Sequence, residues 1–129
     1  MKILIMGAGK MGSFFIDLLS FDHEVAAYEK DARRLRFTYN CQRFTALDEV
    51  ESFQPELVIN AVTVKYTIPA FEEVLPVLPE DCILSDISSV KTGLKDWYGQ
   101  CGHPYASTHP MFGPTFANLN QLSEENAII

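Results

Sequence analysis

Basic residues are scarce in this chain: ten lysines and arginines stand against seventeen acidic residues, a formal net charge of −7 over 129 residues. That balance argues against nucleic acid or an anionic membrane surface as a partner. Cysteine is equally sparse. Cys41, Cys82 and Cys101 are odd in number and show no C-x-x-C spacing, so neither a disulfide framework nor a zinc site is indicated, and reduced thiols in a cytoplasmic protein are expected. No group of histidines and carboxylates has metal-ligand spacing, so no metal is expected. Long apolar runs are missing too: nothing approaches the ~20 residues that span a bilayer, and the N-terminal run is broken at Gly7 without the apolar region of a signal peptide. Repeats and low-complexity linkers are absent. What remains is 47% apolar and 21% charged, an ordinary globular composition with length for one core.

What is present is concentrated near the start. Gly7-Ala8-Gly9-Lys10-Met11-Gly12 follows the apolar run Ile3-Leu4-Ile5-Met6 and precedes Met11, Phe14, Phe15, Leu18 and Leu19, spaced as one face of a helix. Strand, three-glycine turn and helix in that order form a dinucleotide-binding fingerprint. Gly7 permits the tight turn, Gly9 lets a pyrophosphate approach the backbone, and Gly12 allows close helix–strand packing. Lys10 and Met11 open the helix whose free N–H groups and partial positive charge meet the diphosphate. A plain tight turn and a methyltransferase-type loop are the competing readings.

Farther on, strand and helix patterns alternate. Strands are expected at residues 2–6, 24–28, 57–62, 82–86 and 105–108, with a weak one at 43–45. Helices are expected at 10–20, 32–38, 48–53, 68–75 and 94–98, the second poorly patterned. Alternation of this kind builds βαβ units: a Rossmann-type doubly wound parallel sheet in three αβα layers, with ligands at the carboxyl ends of the strands. That geometry collects distant residues on one rim.

Glu29 closes the second strand, 17 positions after Gly12. It can accept both hydroxyls of an adenosine ribose and repel a 2′-phosphate, or it is a solvated strand-end acid. Lys30, Arg33 and Arg34 keep NADP in play, but NAD is the expected cofactor. Val62 and Thr63 follow the fourth strand beside the nicotinamide-side ribose, where Thr63 supplies a hydroxyl or amide, or else caps a turn. Ser88, Ser89 and Lys91 lie in Asp86-Ile87-Ser88-Ser89-Val90-Lys91 after the fifth strand, placed to touch ligands, although serines also cap turns and helices. Pro110 holds His109 extended at a strand end, where an imidazole is a natural proton acceptor beside a nicotinamide. Placement alone leaves catalytic and structural roles open for His109. His23 and His103 read as solvent-facing turn residues.

At this point the chain resembles the prephenate dehydrogenases of tyrosine biosynthesis, through the fingerprint, the stretch LPVLPEDCILSDISSVKTGLKDW and above all THPMFGP. The resemblance spans residues 1–116 in order, and is to the form fused to chorismate mutase, although no mutase segment is present. It implies NAD-dependent oxidative decarboxylation of prephenate to 4-hydroxyphenylpyruvate. His109 matches the histidine that draws the proton from the substrate's ring hydroxyl, and Ser89 the serine that orients that hydroxyl. Lys91 is placed to face substrate carboxylates. Two departures stand out. Thr115 occupies a position that is glutamate in some members, and the family's helical dimerisation domain, which supplies arginine to the substrate, has no counterpart in residues 117–129. Residues 1–129 are therefore expected to be an NAD(P)-binding domain cut short of its helical partner. Such a domain would bind cofactor but turn over poorly, and the full-length protein would be a homodimer. Exposed Met111, Phe112 and Phe116 would leave the segment after His109 mobile or self-associating. The alternatives are an arogenate dehydrogenase, which shares both motifs, and a non-catalytic NAD-binding module, which would not need Ser89 and His109.

Overall fold

A computed structural model describes residues 1–35, 41–110 and 127–128. The first apolar run forms β1 (Lys2–Met6), and the glycine turn leads into α1 (Lys10–Leu19) and β2 (Glu24–Tyr28). A 3-10 turn (Ala32–Leu35), β3 (Gln42–Phe44) and α2 (Leu47–Phe53) come next. Then come β4 (Leu57–Asn60), a 3-10 turn (Val64–Tyr66), α3 (Thr67–Val74) and β5 (Ile83–Asp86). They are followed by α4 (Leu94–Gln100), β6 (Tyr105–Ser107) and a two-residue strand β7 (His109–Pro110) that pairs antiparallel with β8 (Ala127–Ile128).

Six strands form one sheet in the order β3-β2-β1-β4-β5-β6, parallel throughout. The chain winds outward from β1 to β3, crosses back, and winds outward again from β4. The order therefore reverses between β1 and β4, where a crevice opens beyond the carboxyl ends of the strands. This is the doubly wound sheet expected from the alternating pattern.

Side chains of β1 alternate between two cores, which is why the strand reads as an unbroken apolar run. Leu4 and Met6 join Val50 and Phe53 of α2, Phe71 and Val74 of α3, and Leu94 and Tyr98 of α4 on one face. Ile3 and Ile5 join Ile16 of α1 and Leu35 on the other. Phe71 is fully buried, stacked on Trp97 at 5.0 Å and edge-on to Tyr98. Truncating it to alanine would cost about 3–5 kcal/mol.

Three expectations are corrected. The helix at 32–38 is a four-residue 3-10 turn as far as Leu35, and residues 36–40 lie outside the described ones. No apolar period sustains a helix there, and Asp31 caps the turn by accepting the Arg33 amide at 3.1 Å. The fourth strand stops at Asn60, whose buried side chain turns the chain: its Oδ1 accepts the Val62 amide at 3.3 Å and its Nδ2 donates to the Thr67 carbonyl at 2.8 Å. The inward face of α1 is Gly12 and Ile16, with half-buried Phe15 and Leu19 packed beside them; Met11, Phe14 and Leu18, equally half-buried, join neither core formed by the described residues. The contact at Gly12 described below sets that rotation.

Candidate functional site

The turn after β1 is shaped by its glycines. Gly7 adopts φ +90°, and a Cβ there would lie 3.0 Å from the Ala61 carbonyl oxygen, so the β1 and β4 loops meet backbone to backbone. A Cβ on Gly12 would fall 2.0 Å from the Gly7 oxygen, so the helix sits directly on the turn. At Gly9 the opposite holds: a Cβ would meet nothing within 4 Å. Among the described residues no side chain caps the N-terminus of α1, leaving its first amides for a ligand. Lys10 is exposed and Met11 half-buried at this helix start. An open glycine facing an uncapped helix end is the cradle that a diphosphate requires, and so the residues present fit a dinucleotide.

Beside this turn a cleft of about 480 Å³ runs between the ends of β1 and β2 and the loop after β4. Glu29 lines it, half-buried, directly after β2; its amide donates to the Phe44 carbonyl and its Oε1 accepts the Asp31 amide at 3.3 Å. Val62 and Thr63 line the opposite wall. Thr63 precedes the 3-10 turn without a side-chain capping bond, so its exposed hydroxyl is not spent on the backbone. Lys30 and Glu73 also reach the cleft, joined at 2.8 Å. Burial opposes ionisation of Glu73, but Lys30 and the Tyr28 hydroxyl outweigh it and hold the carboxyl below its ordinary range.

The rim beyond β5 and β6 is organised by Asp86, which is completely buried. Its Oδ2 accepts from the Ser88 amide at 3.0 Å and from Lys91 Nζ at 2.6 Å, and its Oδ1 accepts from the Tyr98 hydroxyl at 2.7 Å. Burial first, and the Asp86 bond second, push the Tyr98 hydroxyl well above the usual phenol range. The Asp86 carbonyl accepts both the amide and hydroxyl of Thr108, and Lys91 donates to the Thr108 carbonyl at 2.6 Å. His109 follows immediately, half-buried, its backbone paired with Ile128. It is extended, as Pro110 demands.

The structure thus brings Gly7, Gly9, Gly12, Glu29, Val62, Thr63, Ser89 and His109 to the carboxyl edge of one sheet. Ser89 is exposed there, three residues beyond Asp86, in the loop after β5, the neighbour of the strand that leads to His109. Three readings change. The Ser88 hydroxyl is buried and bonded to Thr67 Oγ1 at 3.0 Å, so it supports the loop rather than facing a cofactor. Lys91 is tied to Asp86 and to the Thr108 carbonyl, which gives it a positioning role in the loop. His103 is half-buried with Nδ1 3.1 Å from the Cys82 carbonyl oxygen, not a solvent-facing turn residue. Residues 111–126, and with them the apolar segment after His109 and Thr115, lie outside the described residues. Sequence reasoning missed Asn60, Tyr28, Glu73 and Tyr98. Their partners lie 7, 45, 43 and 12 positions away or arrive through the backbone, and only the buried polar position of Asn60 at a strand end carries a local signal.

Among the described residues no helix is long and apolar enough to cross a membrane, and no three His, Cys, Asp or Glu side chains are grouped to hold a metal ion. The family model described as prephenate dehydrogenase, nucleotide-binding domain, matches residues 10–127. A T-protein of Enterobacter agglomerans is 31% identical over 119 residues, which cover 91% of this chain and 28% of that protein. A prephenate dehydrogenase of Aquifex aeolicus, solved with hydroxyphenyl propionate and NAD+, superimposes with a TM-score of 0.81 at 23% identity, over 98% of this chain and 49% of that one. An arogenate dehydrogenase of Synechocystis gives 0.72 at 20% identity, over 85% of this chain and 41% of that one. The chain spans about half the length of these solved proteins and 28% of the curated relative.

Proposed function

Because this chain belongs to the prephenate dehydrogenase nucleotide-binding domain family, we propose that it binds NAD across the β1–β4 crevice and forms the cofactor-bearing part of an enzyme that oxidatively decarboxylates prephenate to 4-hydroxyphenylpyruvate. One observation carries this reading. The open Gly9 turn and a histidine held by its backbone occupy the same rim, the first with room for a diphosphate and the second a residue type that accepts a proton.

In this reading the α1 amides with Gly9 take the diphosphate, Lys10 and Met11 border it, and Glu29 accepts the adenosine ribose hydroxyls. Val62 and Thr63 bracket the nicotinamide end. NAD+, when bound, supplies the hydride acceptor. His109 takes the proton of the substrate's ring hydroxyl as the carbon bearing it is oxidised. Ser89 orients that hydroxyl, and release of CO2 then completes an aromatic ring. Asp86 and Lys91 do not touch substrate; they fix the backbone from which His109 projects. The substrate's carboxylates are left to a helical domain that also builds a homodimer, in a cytoplasmic enzyme of tyrosine biosynthesis.

The test is prephenate-dependent formation of reduced nicotinamide by the native enzyme and its His109→Asn variant. A positioned general base is worth ~10²–10⁴-fold in turnover. A loss of that size with NAD affinity unchanged supports the reading; a variant that keeps most of its kcat overturns the role of His109. Equal or faster turnover of arogenate would move the chain to the neighbouring activity.

A further inference from the structure

The adenosine end of the cleft holds more charge than a ribose needs. Among the described residues, Glu29, Asp31 and Glu73 face Lys30 and Arg33. Both cations are engaged. Arg33 is held side-on by Asp31, Nε to Oδ1 and Nη2 to Oδ2, each at 3.0 Å. Lys30 is held by Glu73 at 2.8 Å. Glu73 does not come from the β2 loop; it lies on α3, from the opposite half of the sheet. Its second oxygen accepts the Tyr28 hydroxyl at 2.7 Å, so the carboxylate is already fixed at one oxygen before any lysine arrives. Holding one partner in advance reduces the ordering entropy that normally cancels an exposed ion pair.

Lys30 directly follows the ribose-side Glu29, the place from which a cation reaches a 2′-phosphate. We propose that Glu73 is a cofactor-selectivity residue: it draws Lys30 toward α3 and away from the ribose, so that no lysine offsets the repulsion that Glu29 exerts on a 2′-phosphate. The discrimination against NADP is then shared between two carboxylates on different βαβ halves, and only Glu29 touches the ribose itself. This rests on the reading that adenosine lies in this cleft.

Dissociation constants for NAD+ and NADP+ are measured by calorimetry on the protein and on Glu73→Gln, Lys30→Met and the double variant. Glutamine keeps a bond to Tyr28 but releases the lysine. Glu73→Gln is expected to bind NADP+ roughly three- to tenfold more tightly, the scale of one half-exposed charge interaction, with NAD+ changed less than about twofold. Lys30→Met alone is expected to leave NADP+ nearly unchanged, because the lysine is already occupied, yet to abolish the gain in the double variant. An unchanged NADP+ constant in Glu73→Gln, or equal shifts for both cofactors, overturns the proposal while leaving the cofactor reading intact. A marked loss of NADP+ binding in Lys30→Met alone also overturns it, and needs no folded Glu73 variant. If the unaltered protein binds neither cofactor, the cofactor reading falls and this proposal with it.

Discussion

The Lys91 ammonium lies 2.6 Å from the buried Asp86 carboxylate and donates from the same nitrogen to the carbonyl of Thr108. One ion pair therefore ties the turn after β5 to the residue preceding His109. The two sequence motifs that most specify this chain are in physical contact, and their contact fixes the backbone immediately before His109.

Lys91→Met should leave Asp86 buried without its countercharge. Removing one partner of a buried pair costs about 3–5 kcal/mol; Lys91 is 37% exposed, which points to the lower end. Urea unfolding checks this, and Asp86→Asn/Lys91→Met should recover most of the loss. In the native enzyme Lys91→Met should also lower kcat while NAD affinity stays near that of the unaltered protein, a split that general destabilisation would not produce.

Gly9→Ala and Gly12→Ala should fail in opposite ways. At Gly9 the added methyl meets no protein atom, so stability should change by less than about 1 kcal/mol while NAD affinity drops at least roughly tenfold, a loss of ~1.4 kcal/mol in binding. At Gly12 it would strike the Gly7 oxygen, and overpacking of this kind costs about 1–3 kcal/mol or more. Thermal unfolding beside calorimetric titration separates the two.

The unaltered chain should bind NAD more tightly than NADP, and Glu29→Ser should narrow the gap mainly by weakening NAD, since serine loses one of the carboxylate's two acceptor oxygens. Equal affinities in the unaltered chain would remove the ribose role from Glu29.

Alkaline pH should destabilise the fold from about pH 9 upward. Burial first, and Asp81 second, push the Cys82 thiol up from 9.0 to about 12. The folded protein then keeps a proton that the unfolded chain releases, so stability is full below the unfolded value and falls between about 9 and about 12. Tyr28 and Tyr98, both raised above 10.0 chiefly by burial, add to the slope from 10 onward. Chemical denaturation across this range should show a shallower initial decline in Cys82→Ala, and thiol alkylation of Cys82 should require unfolding.

The sequence pattern yields the sheet and the glycine turn because each is written in adjacent residues: Ile3 to Met6 for a strand buried on both faces, Gly7 to Gly12 for the turn. It misplaces the inward face of α1 because two apolar stripes overlap there, and the choice between them is made by the contact of Gly12 with Gly7, which spacing does not encode. His109 is legible through Pro110. Its support is not: Tyr98 meets Asp86 only after α4 has folded back over β5, and Glu73 meets Lys30 across the sheet. Ser88 and Ser89 look alike in sequence, yet one is buried against Thr67 and the other exposed, a difference fixed by where the Asp86 turn points.

The convergence on Asp86 also orders assembly. Its carboxylate takes partners from residues 88, 91 and 98 and its backbone carbonyl takes Thr108, so the full set closes only after the chain has passed through α4 and returned along β6. A nascent chain emerging N-terminus first can form β1, α1 and β2, with the diphosphate turn, well before this knot closes. The glycine turn is therefore present early in synthesis, while the wall of the crevice built by the loop after β4 and by α3 has still to arrive. The end of the crevice that carries His109 is completed last, once β6 has paired with β5.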